Sequence, residues 1–154
     1  MKILVIEDDR VKSGRLRSFL KQIYPEIIPT IERSYQTGLA RVETEPFDLV
    51  LLDMTLPTFN ATPARRIGRP RPLGGYEILR KMRRKNIVSK VIVVSALGGF
   101  GTGDSSFTFE ELAQKCEAEF PEIFVGAVFF SQTNSKWERQ LHSLVRSVLE
   151  PKND

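Results

Sequence analysis

The chain carries one cysteine, Cys116, so no intrachain disulfide can form and a reducing compartment fits. No apolar stretch approaches the ~20 residues of a membrane span. The first apolar run is too short for a signal peptide, and acids follow it directly, so the expected location is cytoplasmic. The single histidine, His142, has no partner at metal-ligand spacing and reads as a helix-flank residue. Internal repeats, low-complexity tracts and a second domain are all missing from the 154 residues, which make one domain's worth. The glycines of Gly99-Phe100-Gly101-Thr102-Gly103 come without a dinucleotide fingerprint or a Walker lysine, and suit a flexible loop better than a phosphate cradle. The formal net charge is +4, much of it traceable to Arg65, Arg66, Arg69 and Arg71. No aromatic stands beside these arginines, which argues against single-strand nucleic-acid binding and favours a solvated basic loop.

What is present is a strict alternation. Ile3-Leu4-Val5-Ile6, Leu49-Val50-Leu51-Leu52 and Val91-Ile92-Val93-Val94 are unbroken apolar runs, as expected of strands buried on both faces of a parallel sheet. A further strand is expected at Ile27 to Arg33, where Pro29 cannot donate to a ladder and so points to a sheet edge. A fifth is expected at Ile123 to Phe130. Between them lie amphipathic patterns. The first carries Val11, Leu16, Phe19, Leu20 and Ile23 and ends near Tyr24-Pro25; the last carries Trp137, Leu141, Leu144, Val145, Val148 and Leu149. Ser34 is a candidate helix cap, and Thr108-Phe109-Glu110-Glu111 and Ser135-Lys136-Trp137-Glu138 have capping-box spacing. Cys116 and Trp137 read as core residues. Five βα units in succession predict an α/β fold, a parallel sheet covered by helices on both faces.

Acids close two of these strands. Glu7, Asp8 and Asp9 follow the first, and Asp53 follows the third. In an open α/β sheet, chemistry gathers at the carboxyl ends of the strands. Neighbouring strands ending in this way would bring several carboxylates together, and such a cluster repels itself unless a hard cation sits in it. Asp9 reads as a helix cap rather than a ligand.

Taken jointly, Ile3 to Asp9, Leu51-Leu52-Asp53-Met54-Thr55-Leu56-Pro57 and Val91-Ile92-Val93-Val94-Ser95-Ala96 resemble the response-regulator receiver domain over nearly the whole chain. The resemblance implies a flavodoxin-like (βα)5 doubly wound sheet in the order 2-1-3-4-5, consistent with the edge strand marked by Pro29. It implies that Asp53 is the phosphoacceptor, attacking a phosphohistidine on a histidine kinase or phosphotransfer protein. It implies Mg²⁺ held by Glu7, Asp8, Asp53 and the backbone carbonyl of Thr55, with Ser95 as the switch hydroxyl and Phe129 or Phe130 as a switch aromatic. The family catalyses only its own phosphorylation and dephosphorylation, and is not otherwise enzymatic. Without an output domain, signalling would pass to a downstream protein, through the face of the fourth helix, fifth strand and fifth helix, with a homodimer as one arrangement.

Two departures from the family pattern stand out. The end of the fifth strand reads Phe129-Phe130-Ser131-Gln132, so the usual lysine is missing near Ser131, and Lys136 is the nearest substitute. An insertion at about 58–74, rich in Arg and Pro, separates Pro57 from the third helix. The missing lysine motivates an alternative: a receiver-like interaction module that does not switch by phosphorylation. A phosphatase of the haloacid-dehalogenase type also uses a strand-end Asp, but needs a second Asp where this chain has Thr55.

Overall fold

A computed structural model of the chain describes residues 1–60, 70–100 and 106–151. Three short elements open it: β1 (Ile3–Ile6), α1 (Arg10–Ile23) and β2 (Thr30–Glu32). There follow α2 (Tyr35–Thr44), β3 (Leu49–Leu52), β4 (Leu56–Pro57), β5 (Pro70–Arg71) and α3 (Gly74–Arg84). The remainder is β6 (Lys90–Ser95), β7 (Gly99–Phe100), β8 (Phe107–Thr108), α4 (Phe109–Glu119), β9 (Phe124–Phe129) and α5 (Lys136–Leu149). The main sheet is parallel, in the order β2-β1-β3-β6-β9. Since β4/β5 and β7/β8 are separate antiparallel pairs, this is the expected 2-1-3-4-5 order, with β2 at an edge.

Alternate residues of each central strand feed two cores. Leu4, Ile6, Val50, Leu52, Val91 and Val93 pack toward α2, α3 and α4, where they meet Val42, Leu79, Met82 and Cys116. Ile3, Val5, Leu49, Leu51, Ile92 and Val94 pack toward α1 and α5, where they meet Leu16, Leu20, Trp137 and Val145. Burial on both faces is why these strands read as continuous apolar runs rather than alternating ones.

The helix ends follow local chemistry. Ser34 accepts from the Thr37 N–H, and Thr108 and Glu111 form a reciprocal capping box. Ser135 departs from expectation: its side chain makes no cap bond, and Asn134 Oδ1 accepts from the Lys136 N–H instead (3.1 Å). Asn86, at φ 56°, ends α3. The Ile87 N–H returns to the Met82 carbonyl, satisfying a helix-end carbonyl that would otherwise be orphaned.

In α1 the inward stripe holds Leu16, Phe19, Leu20 and Ile23 as the sequence suggested, but not Val11. Val11 is 55% exposed, whereas Lys12 is 3% and Ser13 1% exposed. Lys12 stands one turn before Leu16, on the buried face.

The insertion is closed at its base by the pairing of Leu56 with Arg71 and Pro57 with Pro70. Arg65, Arg66 and Arg69 lie outside the described residues, as do Gly101 and Gly103. Just beyond the return strand, Gly75 allows α3 to sit directly on the Asp53–Met54 backbone. A Cβ there would fall 2.4 Å from the Asp53 carbonyl oxygen and 3.0 Å from Met54 Cα. Gly75→Ala is therefore expected to cost about 1–3 kcal/mol through displacement of backbone. Denaturant titration checks this, with Gly98→Ala, where nothing lies within 4 Å, as the near-neutral reference.

Candidate functional site

β1 and β3 are neighbours, in register from Ile3↔Leu49 to Ile6↔Leu52, and the Asp53 N–H donates to the Ile6 carbonyl (3.0 Å). Their terminal acids thereby meet at the carboxyl edge. One ligand oxygen from each of Glu7, Asp8 and Asp53 lies within 4.8 Å of the other two. Glu7 is 2% exposed, Asp53 is half-buried and Asp8 is exposed. Asp9 turns away to cap α1, accepting from the Lys12 N–H (3.0 Å), as its position suggested.

A lysine that the sequence reading did not single out sits inside this cluster. Lys12 Nζ donates to the Val94 carbonyl (2.6 Å) and to Asp53 Oδ1 (3.1 Å), and stands 2.7 Å from Glu7 Oε2. The Met54 N–H also donates to Asp53 Oδ1 (2.9 Å). Asp53 Oδ1 is thus held by two donors, and Oδ2 is the oxygen left for other chemistry.

The cluster is short of positive charge. Fully ionised, three carboxylates against one ammonium would leave two negative charges, which one divalent cation balances. Burial pushes the Glu7 carboxyl well above the usual carboxylate range; Lys12 pulls it back and Asp53 raises it further. Burial also raises Asp53, again opposed by Lys12. Although Lys12 lies close to Glu7 Oε2, the approach is off the hydrogen-bonding direction, so this buried oxygen has an ionic neighbour and no aligned donor. An oxygen in that state suits a metal ion, whose bonding does not demand a proton's alignment. Mg²⁺ binds oxygens at about 2.0–2.1 Å, which sets its ligand oxygens roughly 3–4 Å apart. The three acids fit such an ion after a small contraction.

The remaining expected site residues are distributed around this edge. Thr55 anchors its hydroxyl on the Pro72 carbonyl (2.9 Å), while the Gly75 N–H takes the Met54 carbonyl (2.9 Å). Ser95 is buried at the end of β6, and its Oγ accepts from the Leu97 N–H (3.1 Å). Phe130 is buried against Trp137, whereas Phe129 is 44% exposed and meets Phe109 edge-on. Lys136 is exposed at the start of α5, and among the described residues the lysine in contact with Asp53 is Lys12. The signal for Lys12 was its spacing: it precedes Leu16 by four residues and so shares that helix's core-facing stripe.

No protein-family model matches the sequence. The Detocs response regulatory protein DtcB of Enterobacter cloacae is 31% identical over 143 residues, spanning 92% of this chain and 95% of that protein. The phosphorylated cyanobacterial phytochrome response regulator RcpA superposes with a TM-score of 0.68 at 15% identity, over 99% of this chain and 96% of its own. The receiver domain of a Pseudomonas aeruginosa sensor histidine kinase, solved with a magnesium ion in its active-site cleft, gives 0.57 at 13% identity, over 96% and 95%.

The raised Glu7 carboxyl fixes a pH dependence. A carboxyl whose folded pKa lies above its unfolded value stabilises the metal-free fold below the unfolded value, and that stability is lost as pH rises through the folded one. A cation must displace the same proton. Mg²⁺ affinity is therefore expected to rise between about pH 5.5 and 8, with proton release. Titration calorimetry in buffers of different ionisation enthalpy measures both, and Glu7→Gln should flatten the profile.

Proposed function

The chain belongs to the response-regulator receiver family, and on that premise we propose that Asp53 accepts a phosphoryl group from a histidine kinase or phosphotransfer protein and that the domain signals through contacts with a downstream protein. The observation that carries this reading is the state of the Asp53 carboxylate: one oxygen fixed by Lys12 and Met54, and the group clustered with two further acids at the carboxyl edge of the sheet.

Each residue has a task in the transfer. Asp53 Oδ2 is the nucleophile. Glu7 and Asp8, with Asp53 and the Thr55 carbonyl, would hold Mg²⁺, which supplies charge neutralisation to a phosphoryl group approaching a carboxylate. Ser95 has its oxygen already accepting from Leu97 and keeps its own proton to donate to a phosphoryl oxygen. Phe129, exposed beside Phe109, is the better placed of the two aromatics to move when Ser95 does. A homodimer is one form the output complex can take.

The second reading, an interaction module that does not switch by phosphorylation, draws on Ser131 at the end of the fifth sheet strand, a neutral residue at the position where the family usually carries lysine. Intact-mass spectrometry after incubation with Mg²⁺ and acetyl phosphate separates the two. A gain of one phosphoryl group, abolished in Asp53→Asn and by chelation of the metal, is the expected result. An unmodified wild-type protein selects the second reading.

A further inference from the structure

Taking Asp53 as the phosphoacceptor, we propose that Lys12, on the first helix, is the cationic catalytic group of this site: it fixes Asp53 Oδ1 during attack and holds the phosphoryl oxygens afterwards. Three observations carry this assignment. Lys12 is 3% exposed, so its ammonium is a desolvated charge and acts with little screening. It touches the reacting carboxylate itself, at 3.1 Å. It is also tethered to a neutral acceptor, the Val94 carbonyl at 2.6 Å, so its position does not depend on the charge of Asp53. The end of β9 supplies no competing cation. Phe130 and Ser131 line the same cavity of about 260 Å³ as Lys12, and neither bears a charge.

The step is balanced with a small acyl phosphate as donor. Asp53 Oδ2 forms a bond to phosphorus, the phosphorus–oxygen bond to the acyl group breaks, and the carboxylate departs with the electron pair. Oδ1 then becomes a neutral carbonyl oxygen, one negative charge leaves with the departing carboxylate, and the phosphoryl oxygens bring their own negative charge to face Lys12. The ammonium keeps its protons throughout and follows that charge. Before transfer, Lys12 also competes with any cation for Glu7 and Asp53, which separates its role from that of a mere packing residue.

Lys12→Met keeps the length of the side chain and removes the charge. With Mg²⁺ and acetyl phosphate, its rate of adduct formation is expected to fall about a hundredfold, while its Mg²⁺ affinity by calorimetry tightens about fivefold or more. A loosened fold would lower both. A Lys12→Met rate within about threefold of wild type overturns the proposal and leaves the phosphoacceptor reading standing. Absence of an adduct on the wild-type protein sinks the two together. A measurement on unaltered protein covers the case in which the variant does not fold. In wild type loaded with Mg²⁺ and beryllofluoride, a ¹⁹F–¹H contact between the fluorines and the Lys12 ammonium is expected, and bound beryllofluoride without that contact overturns the assignment.

Discussion

A buried ammonium facing two carboxylates is a costly arrangement that the packing of apolar side chains does not require. Removing one charge from water costs several kcal/mol unless partners replace its hydration. At Lys12 they do: a carbonyl from β6, a carboxylate from β1 and another from β3 surround one Nζ. Three adjacent strands and the first helix are thereby tied at one point, on the sheet edge where the acids also meet. The tie is incomplete, since Glu7 Oε2 has no aligned donor and burial still raises both Glu7 and Asp53. The ion pairs organise the edge, and the residual negative charge leaves it receptive to a further cation.

Much of the fold was legible because its determinants are local. Runs such as Leu49 to Leu52 declare burial on both faces. Pro29, just before β2, declared an edge, and that strand is indeed the outermost. The acids of the site were legible for the same reason: each directly follows its strand, so strand adjacency alone brings them together. Ser34 and Thr108 cap as their spacing suggested, because an N-cap is decided within four residues.

Lys12 was not legible by the same means. Helical reading by hydrophobicity enrols apolar residues, so Val11 was placed inside and Lys12 was passed over. The registers of Val11 and Lys12 differ by one residue, about 100° of helix rotation. The spacing of Lys12 to Leu16 offers it an inward register, but that register is taken because acceptors wait after β1, after β3 and on β6, a tertiary fact. Ser135 failed as a cap for a related reason: Asn134, one residue earlier, reaches the same helix end, and the sequence does not rank the two.

The insertion changes how the backbone at Asp53 is supported. A long loop beside an active edge ordinarily loosens it, yet here both ends of the loop are secured to the backbone that follows Asp53. Leu56 and Pro57 pair with Pro70 and Arg71, and Thr55 Oγ1 donates to Pro72. Arg71 lies over the Tyr35 ring, 4.2 Å from its centroid, and pairs with Glu77, fastening the return strand to α2 and α3. Gly75 then brings α3 onto the Asp53–Met54 peptide. Loop length costs little once the ends are fixed, since closure entropy grows only with the logarithm of length. The added residues can therefore vary without releasing Asp53. The backbone bearing the carboxylate is clamped from the α3 side by the closed base of the insertion, while Lys12 holds its side chain from the α1 side.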